Sequence, residues 1–242
     1  MGDPKETIHN LLCEYYDKKG IGPTIQVAHE LLKRQVPGCP EDNMNEAELN
    51  AVFNGEVCET VLQVMIADFM KRNPKRTASW RYNKSVILSD LESKSDKFLT
   101  EIDALLLTPQ CIYIFECKSY AGDKQLIGKG TIKRKTGNDC DVYSQNALHL
   151  KMLRQWLNRF SRHPCYQMVL FNFSSGTMED KRSYDAKKEL PCVDEMSLFP
   201  LLRETHLEVW RPEDLDVISK QFDRETAALR KKHLKYVKSL KH

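Results

Sequence analysis

The N-terminal part of the chain carries apolar side chains three and four positions apart, which is the spacing of amphipathic helices. This pattern predicts helices over residues 6–17, 24–36 and 45–71, and Asn73 and Pro74 end the last of them. Gly55 weakens the middle of the third stretch, which is therefore predicted either as one long helix or as two helices that meet there.

After the third helix, short apolar runs rich in β-branched and aromatic residues replace the helical spacing, and such runs predict β-strands. The predicted strands span residues 85–91, 101–107, 112–119, 166–173 and 191–193. Amphipathic spacing returns and predicts helices over residues 146–160 and 197–204 and from residue 213 onward. This order of elements predicts an α/β domain preceded by a small helical segment.

The second and third predicted strands form a hairpin if the turn between them is centred on Pro109 and Gln110. Leu107 then faces Ile112, and Asp103 faces Glu116. Because side chains alternate between the two faces of a strand, these pairs lie on one face of the hairpin. Lys118 lies two residues after Glu116 and points the same way. The hairpin therefore brings two carboxylates and an ammonium together among apolar residues.

Two carboxylates on directly opposite positions repel each other unless a proton, a metal ion or another cation lies between them. A hard divalent cation such as Mg²⁺ suits such a pair of oxygen ligands, and Lys118 beside it suits a role in positioning water. The alternative is a structural cluster of Asp103, Glu116 and Lys118 at a sheet edge, because a Glu-x-Lys triplet alone is a weak signal.

Other motifs accompany this hairpin in a fixed order. The string Gly55-Glu56-Val57-Cys58-Glu59 precedes it on the third predicted helix, and Gln145 begins the helix that follows it, with His149 one turn later. Together with the strings EIDALLL and IYIFECKSYAG, these motifs resemble the nuclease-related domain (NERD) family, a branch of the PD-(D/E)xK nuclease superfamily, over roughly residues 50–173. The chain has Tyr143-Ser144 where the family usually has Asn-Pro, and Gln110-Cys111 where it usually has a turn glycine.

The resemblance implies a restriction-endonuclease-like α/β core, with a central mixed sheet flanked by helices. It divides the chain into a helical N-terminal segment, residues 1–44, a nuclease core, residues 45–210, and a basic C-terminal helix, residues 211–242. It also implies hydrolysis of phosphodiester bonds, with DNA as the expected substrate, and a cofactor, Mg²⁺ or Mn²⁺.

The resemblance further implies the role of each site residue. Asp103 and Glu116 are expected to bind the metal, with the main-chain carbonyl of Cys117 as a third ligand. Lys118 is expected to position the attacking water. Glu59 is expected to bind water or the metal from its helix, and Gln145 to hold a phosphate or orient Lys118. His149 is interpreted as a helix histidine whose hydrogen bonds are satisfied, not as a catalyst.

The charge distribution supports a polyanionic partner more than the net charge does. The whole chain has a net charge of +3, but its last 23 residues have eight Lys and Arg against two acidic residues, a net +6, so the rest sums to −3. A second basic cluster follows the hairpin. Phosphate contacts are expected from both: Lys124, Lys129, Lys133, Arg134, Lys135, Arg230, Lys231, Lys232 and Lys235. The alternatives are a solvated helix face at the C-terminus and a solvated β-hairpin after Lys118.

The composition excludes several other classes. With 41% hydrophobic and 29% charged residues, the chain is globular. No apolar stretch reaches the roughly 18 residues that cross a bilayer, and the first residues lack a signal-peptide core, so a cytoplasmic protein with no membrane contact is expected. Its eight cysteines form no Cys-x-x-Cys pair, which argues against a zinc ribbon.

Two functions of different class remain open. The first is the metal-dependent nuclease. The second is a catalytically inactive module of the same fold that binds nucleic acid or another protein, an alternative kept open by Tyr143-Ser144 and by the additional N-terminal helices. Those helices offer a surface for a homodimer or for a protein partner.

Overall fold

The structure is a computed structural model that describes residues 46–89, 99–135, 137–160, 165–173, 176–204 and 207–239. Its helices are α1 Glu46–Arg72, α2 Pro74–Thr77, α3 Val142–Leu157, α4 Tyr184–Glu189, α5 Leu198–Leu202 and α6 Pro212–Ser239. Its strands are β1 Arg81–Ser89, β2 Leu99–Leu107, β3 Cys111–Lys118, β4 Lys124–Ile127, β5 Thr131–Arg134, β6 Cys140–Asp141, β7 Cys165–Asn172, β8 Met178–Asp180 and β9 Cys192–Val193.

A mixed five-stranded sheet in the order β1-β2-β3-β7-β9 forms the centre of the fold. Strand β2 pairs antiparallel with both β1 and β3, whereas β7 pairs parallel with β3 and β9. The parallel pairing of β3 and β7 requires a crossover, which α3 supplies. The predicted α/β class, with a mixed sheet flanked by helices, is therefore confirmed.

Alternate residues of the sheet pack against helices on its two faces. On one face, α1 covers a cluster that includes Ala104, Leu106 and Phe115. On the other face, α3 and α6 cover Leu105 and Ile114. Over the paired stretch of the hairpin, successive side chains point to opposite faces: Ala104 and Leu106 share the first cluster with Phe115, whereas Ile112 and Ile114 lie in the second.

Helix α6 is packed into this second cluster. The Phe222 ring stacks on the Trp156 ring with centroids 4.1 Å apart, and the Trp156 indole N–H donates to Glu225 Oε2 at 2.5 Å. Asn83 of β1 donates to Asp223 Oδ1 at 2.9 Å. The first half of the basic C-terminal helix thus contributes apolar surface to the core.

A second, four-stranded sheet in the order β6-β5-β4-β8 follows the β3 strand. It packs through Leu126 and Ile132 against Met168 and Leu170 of β7. The sequence predicts no sheet here, and a solvated β-hairpin is the alternative to a phosphate-binding segment. Strands β4 and β5 do form such a hairpin, paired from Lys124–Arg134 to Ile127–Thr131.

The structure also tests the bounds of the other predicted helices and strands. Helix α1 continues through Gly55, so the third predicted helix is one helix. Strand β1 begins at Arg81, four residues before the predicted start. The helices predicted over residues 6–17 and 24–36 lie outside the described residues. Among the described residues, no helix is long and apolar enough to span a membrane.

Candidate active site

A two-residue turn at Pro109 and Gln110 fixes the register of the β2–β3 hairpin. The Thr108 amide donates to the Cys111 carbonyl at 3.0 Å, and the Cys111 amide donates back to Thr108 Oγ1 at 2.9 Å. Leu107 pairs with Ile112 as predicted from the turn. The predicted register is therefore confirmed from Leu107–Ile112 to Ala104–Phe115.

The regular ladder reaches Ala104 and Phe115, and the acidic residues lie immediately beyond it. There the Asp103 carboxylate Oδ2 accepts a hydrogen bond from the Cys117 amide at 2.7 Å. Glu116 Oε1 lies 2.5 Å from Lys118 Nζ. The three ionisable groups of the hairpin thus converge where its strands separate.

Asp103 also interrupts the pairing on its other side. The register of β1 and β2 pairs Lys84 with Ala104 and Val86 with Ile102, and it passes over Ser85 and Asp103. Ser85 has a φ of 49°, which is uncommon for a residue with a side chain. Backbone strain of this kind is typical of functional sites, and here it faces the acidic residue of β2.

Burial and mutual repulsion dominate the electrostatics of the two carboxyl groups. Burial raises the pKa of Asp103 well above its usual value, and the charges of Glu116 and then Glu59 raise it further. Burial also raises the pKa of Glu116, although the Lys118 ammonium opposes this. Burial alone would lower the pKa of Lys118, but the charges of Glu116 and Asp103 outweigh it, and the net shift is upward.

Glu59 approaches the site from α1. Its neighbours Val57 and Cys58 are fully buried against the sheet, whereas Glu59 is half-buried. Its charge contributes to the raised pKa of Asp103, so the two carboxylates are electrostatically coupled. The structure brings Glu59 into the same acidic environment as the hairpin residues.

Helix α3 brings Gln145 to the site. Asp141 caps the helix: its Oδ1 accepts from the Ser144 amide at 3.0 Å and its Oδ2 from the Ser144 hydroxyl at 2.7 Å. Tyr143 donates from its hydroxyl to Glu189 Oε1 at 2.5 Å. The Tyr143-Ser144 pair thus begins a well-capped helix, and Gln145 Oε1 accepts from Lys118 Nζ at 3.4 Å.

His149, one turn after Gln145, also faces the carboxylates. Its Nδ1 lies 3.6 Å from Glu116 Oε2, and the side chain is almost completely buried. Burial, followed by the Lys118 charge, lowers the pKa of His149 to about 4, so the imidazole is neutral at physiological pH. Among the described residues, neither His149 Nδ1 nor Glu116 Oε2 has a hydrogen-bond partner. The expectation of a satisfied helix histidine is therefore wrong.

The basic residues after the hairpin divide into two groups. Lys133, Arg134 and Lys135 line a cleft of about 460 Å³, together with buried Lys124 and with acidic residues such as Glu179. Lys129 lies at the other end of the β4–β5 hairpin, where its ammonium lies 5.0 Å from the Tyr143 ring.

The cleft is linked to the acidic cluster through Tyr120. The Arg134 guanidinium lies 4.3 Å from the centre of the Tyr120 ring. The charge of Lys118 in turn lowers the pKa of Tyr120, against the larger upward effects of burial and of a hydrogen bond with Cys140. Tyr120, two residues after Lys118 in the chain, therefore contacts a residue of the cleft and is within reach of the Lys118 charge.

The basic residues of α6 do not join this cleft. Arg230, Lys231 and Lys232 are exposed on a helix that packs against β1, whereas the β4–β5 hairpin packs against β7. The Lys235 side chain lies outside the part of the chain whose side chains the structure describes. The two predicted basic surfaces are separate.

The donors predicted for a metal ion are two carboxylates and a main-chain carbonyl. Among the described residues, no three His, Cys, Asp or Glu side chains form a group that could hold a metal ion. The Asp103 and Glu116 carboxylates remain as an interacting pair, and Cys117 follows Glu116 directly in the sequence. Such a pair leaves the greater part of a coordination shell to water.

Comparison with known proteins gives one match. Residues 59–172 match the family model of the nuclease-related domain, and this segment contains Glu59, Asp103, Glu116, Lys118 and Gln145. No curated protein and no solved structure matches the chain.

Proposed function

Residues 59–172 of this chain form a nuclease-related domain, and we propose that the protein is a nuclease that hydrolyses phosphodiester bonds in DNA with the help of a bound Mg²⁺ or Mn²⁺ ion. The observation that carries the proposal is the convergence of Asp103, Glu116 and Lys118 at the open end of one hairpin. The two carboxylates suit a divalent cation, and that cation together with Lys118 would suit the negative charge that develops on the phosphoryl oxygens during hydrolysis.

The metal ion would be held by the carboxylates of Asp103 and Glu116 and by the main-chain carbonyl of Cys117. Two observations support this fit. Burial and the charge of Glu116 raise the pKa of Asp103, and a divalent cation between the two carboxylates would relieve their repulsion. In addition, Glu116 Oε2 is a buried acceptor without a hydrogen-bond partner among the described residues. Mg²⁺ commonly takes one or two carboxylates and completes its shell with water.

When bound, Mg²⁺ supplies Lewis-acid stabilisation of negative charge on the phosphoryl oxygens. Lys118 would orient the attacking water. Its pKa is raised, so at neutral pH it is a charged hydrogen-bond donor and not a general base. Glu116 Oε1 and Gln145 Oε1 both accept from its ammonium, which restricts where the donor can point. Glu59 would hold water at the rim of the carboxylate pair.

The basic cleft would bind the backbone of the substrate next to the reacting phosphate. Lys124, Lys133, Arg134 and Lys135 are contributed by the hairpin that directly follows Lys118. Lys129 would add a weaker contact elsewhere on the same polyanion. The basic residues of α6 would do the same: Arg230, Lys231, Lys232 and Lys235. Such contacts to phosphate are independent of base sequence and weaken with salt.

The test is cleavage by the purified full chain. Plasmid, linear duplex, single-stranded DNA and RNA are each incubated with Mg²⁺, with Mn²⁺ or with EDTA. We expect metal-dependent cleavage of DNA that is lost in Asp103→Ala, Glu116→Ala and Lys118→Ala.

The matched controls are Glu208→Ala and Lys151→Ala, which remove an exposed carboxylate and an exposed ammonium elsewhere on the chain. Both should cleave like the unchanged protein. Full activity in the three site variants would contradict the proposal. Absence of cleavage combined with tight, metal-independent DNA binding would favour the inactive nucleic-acid-binding module instead.

A further inference from the structure

His149 presents an unsatisfied polar atom to the carboxylate of Glu116. Its Nδ1 lies 3.6 Å from Glu116 Oε2, which is slightly longer than a hydrogen bond. Both atoms are buried, and neither has a hydrogen-bond partner among the described residues. Buried polar atoms are rarely left unpaired, because each of them has lost its hydrogen bonds to water. If the two side chains moved closer by a few tenths of an ångström, His149 Nδ1 and Glu116 Oε2 would be within hydrogen-bond distance.

Helix α3 contacts both members of the Glu116–Lys118 pair. Gln145 accepts a hydrogen bond from Lys118 Nζ at 3.4 Å, and His149, one turn later, faces the far oxygen of Glu116. Residues four positions apart lie on the same face of a helix, so both side chains come from one rigid element. The helix is held in turn by its Asp141 cap and by burial of Leu153 and Trp156.

We propose that His149 is a positioning residue for Glu116. Its Nδ1–H donates to one lone pair of Glu116 Oε2 and fixes the plane of the carboxylate, which leaves the other lone pair of Oε2 for the metal ion while Oε1 faces Lys118. The inference rests on the proposed function, because fixing this carboxylate matters for the affinity of a divalent cation. Hydrogen bonds from outside the ligand shell typically change metal affinity by about 10- to 100-fold. His149 therefore acts through Glu116 and touches neither substrate nor metal.

Two variants of the same shape separate positioning from packing. Asn and Leu have the same branching, but His149→Asn keeps a nitrogen donor at the place of Nδ1 and His149→Leu removes it. Mn²⁺ affinity of the full chain is measured by titration calorimetry without substrate. We expect His149→Leu to weaken Mn²⁺ binding by about tenfold or more, and His149→Asn to stay within about threefold of the unchanged protein. Unchanged affinity in His149→Leu, or equal loss in both variants, would overturn the inference.

A measurement on the unchanged protein covers the case in which His149→Leu does not fold. Nitrogen-15 NMR of the imidazole reports which ring nitrogen carries the proton. We expect the Nδ1–H tautomer for His149, identified by the loss of its signal in His149→Asn. The Nε2–H tautomer would overturn the inference.

The same data separate this inference from the proposed function. If the unchanged protein binds Mn²⁺ no better than the Asp103→Ala, Glu116→Ala double variant, the metal site itself is wrong. The tautomer of His149 then still decides whether the contact with Glu116 exists.

Discussion

The Asp103 carboxylate accepts a hydrogen bond from the Cys117 amide at 2.7 Å, and this contact replaces the regular pairing of β2 with β3. A side chain thus bonds to the backbone at the point where the ladder ends. The contact holds Asp103 beside Glu116 although the two carboxyl groups repel each other. With both carboxylates ionised, the fold is therefore less stable than it would be with an uncharged pair at the same positions. Such a cost in stability is expected at a site that binds a cation.

The first prediction concerns this cost of repulsion. Asp103→Asn keeps an oxygen that can accept from the Cys117 amide, but it removes the buried charge. The pKa of Asp103 is raised in the folded protein, so the cost of its buried charge is absent below the unfolded pKa of about 4. That cost grows as the pH rises from there to the folded pKa, and it stays constant above the folded pKa. In EDTA near neutral pH, we expect the free energy of unfolding to rise by about 1 kcal/mol.

Urea unfolding between about pH 4 and pH 8 checks this prediction. The gain should shrink steadily as the pH falls. Asp139→Asn, which changes an exposed carboxylate, is the matched control and should leave stability unchanged at every pH. A destabilised Asp103→Asn would mean that the negative charge is compensated in the metal-free protein.

The second prediction concerns protons released by the metal. Because burial raises the pKa values of both Asp103 and Glu116, a divalent cation that binds them must displace protons at mildly acidic pH. We expect Mn²⁺ affinity to rise with pH and proton release to be larger near pH 6 than near pH 8. Calorimetric titration in two buffers of different ionisation enthalpy measures the number of protons. Tight Mn²⁺ binding that is independent of pH would exclude these carboxylates as ligands.

The hairpin could be predicted from the sequence because its register depends on local features. Pro109 and Gln110 between two apolar strands allow one short turn, and the alternation of side chains then places Asp103 and Glu116 on a common face. The additional acidic neighbour, Glu59, was predicted from the family resemblance, since it lies on α1, far from the hairpin in the chain.

Two parts of the site depend on tertiary packing and could not be predicted in this way. The four-stranded sheet has strands of two to four residues, and β8 joins it from beyond β7. Its strands are too short for a periodic signal. The position of His149 depends on how α3 is rotated against β3, and a helical histidine gives no sign of this in the sequence. From the sequence, Glu116 is expected to face Asp103 and to lie beside Lys118, and neither position indicates a partner on α3.

The third prediction tests whether α6 is part of the core. Phe222 is almost fully buried and stacks on Trp156, so Phe222→Ala leaves a cavity between α3 and α6. We expect a loss of about 3–5 kcal/mol in the free energy of unfolding, measured by urea denaturation. Val217→Ala, at a largely exposed position of the same helix, should change stability by less than about 0.5 kcal/mol. A small effect of Phe222→Ala on the free energy of unfolding would indicate that the packing of α6 contributes little to stability.

The fourth prediction concerns the basic cleft. Lys133, Arg134 and Lys135 line it, and the Arg134 guanidinium lies 4.3 Å from the centre of the ring of Tyr120, two residues after Lys118 in the chain. If they contact phosphates, reversing all three charges should weaken DNA binding and flatten its dependence on salt. Each lost phosphate contact lowers the slope of log affinity against log salt by about 0.9 for duplex DNA. We therefore expect the slope to fall by about one to three, measured by fluorescence anisotropy in EDTA so that cleavage does not interfere.

The control for this prediction must change the net charge by the same amount. Lys71→Glu, Lys75→Glu and Lys151→Glu reverse three exposed charges on α1, α2 and α3, outside the cleft. A general electrostatic effect would weaken binding equally in both triple variants, whereas a cleft that holds the DNA backbone makes the cleft variant the weaker of the two. An unchanged slope in the cleft variant would leave the β4–β5 hairpin as a solvated surface, with the α6 residues as the remaining phosphate contacts.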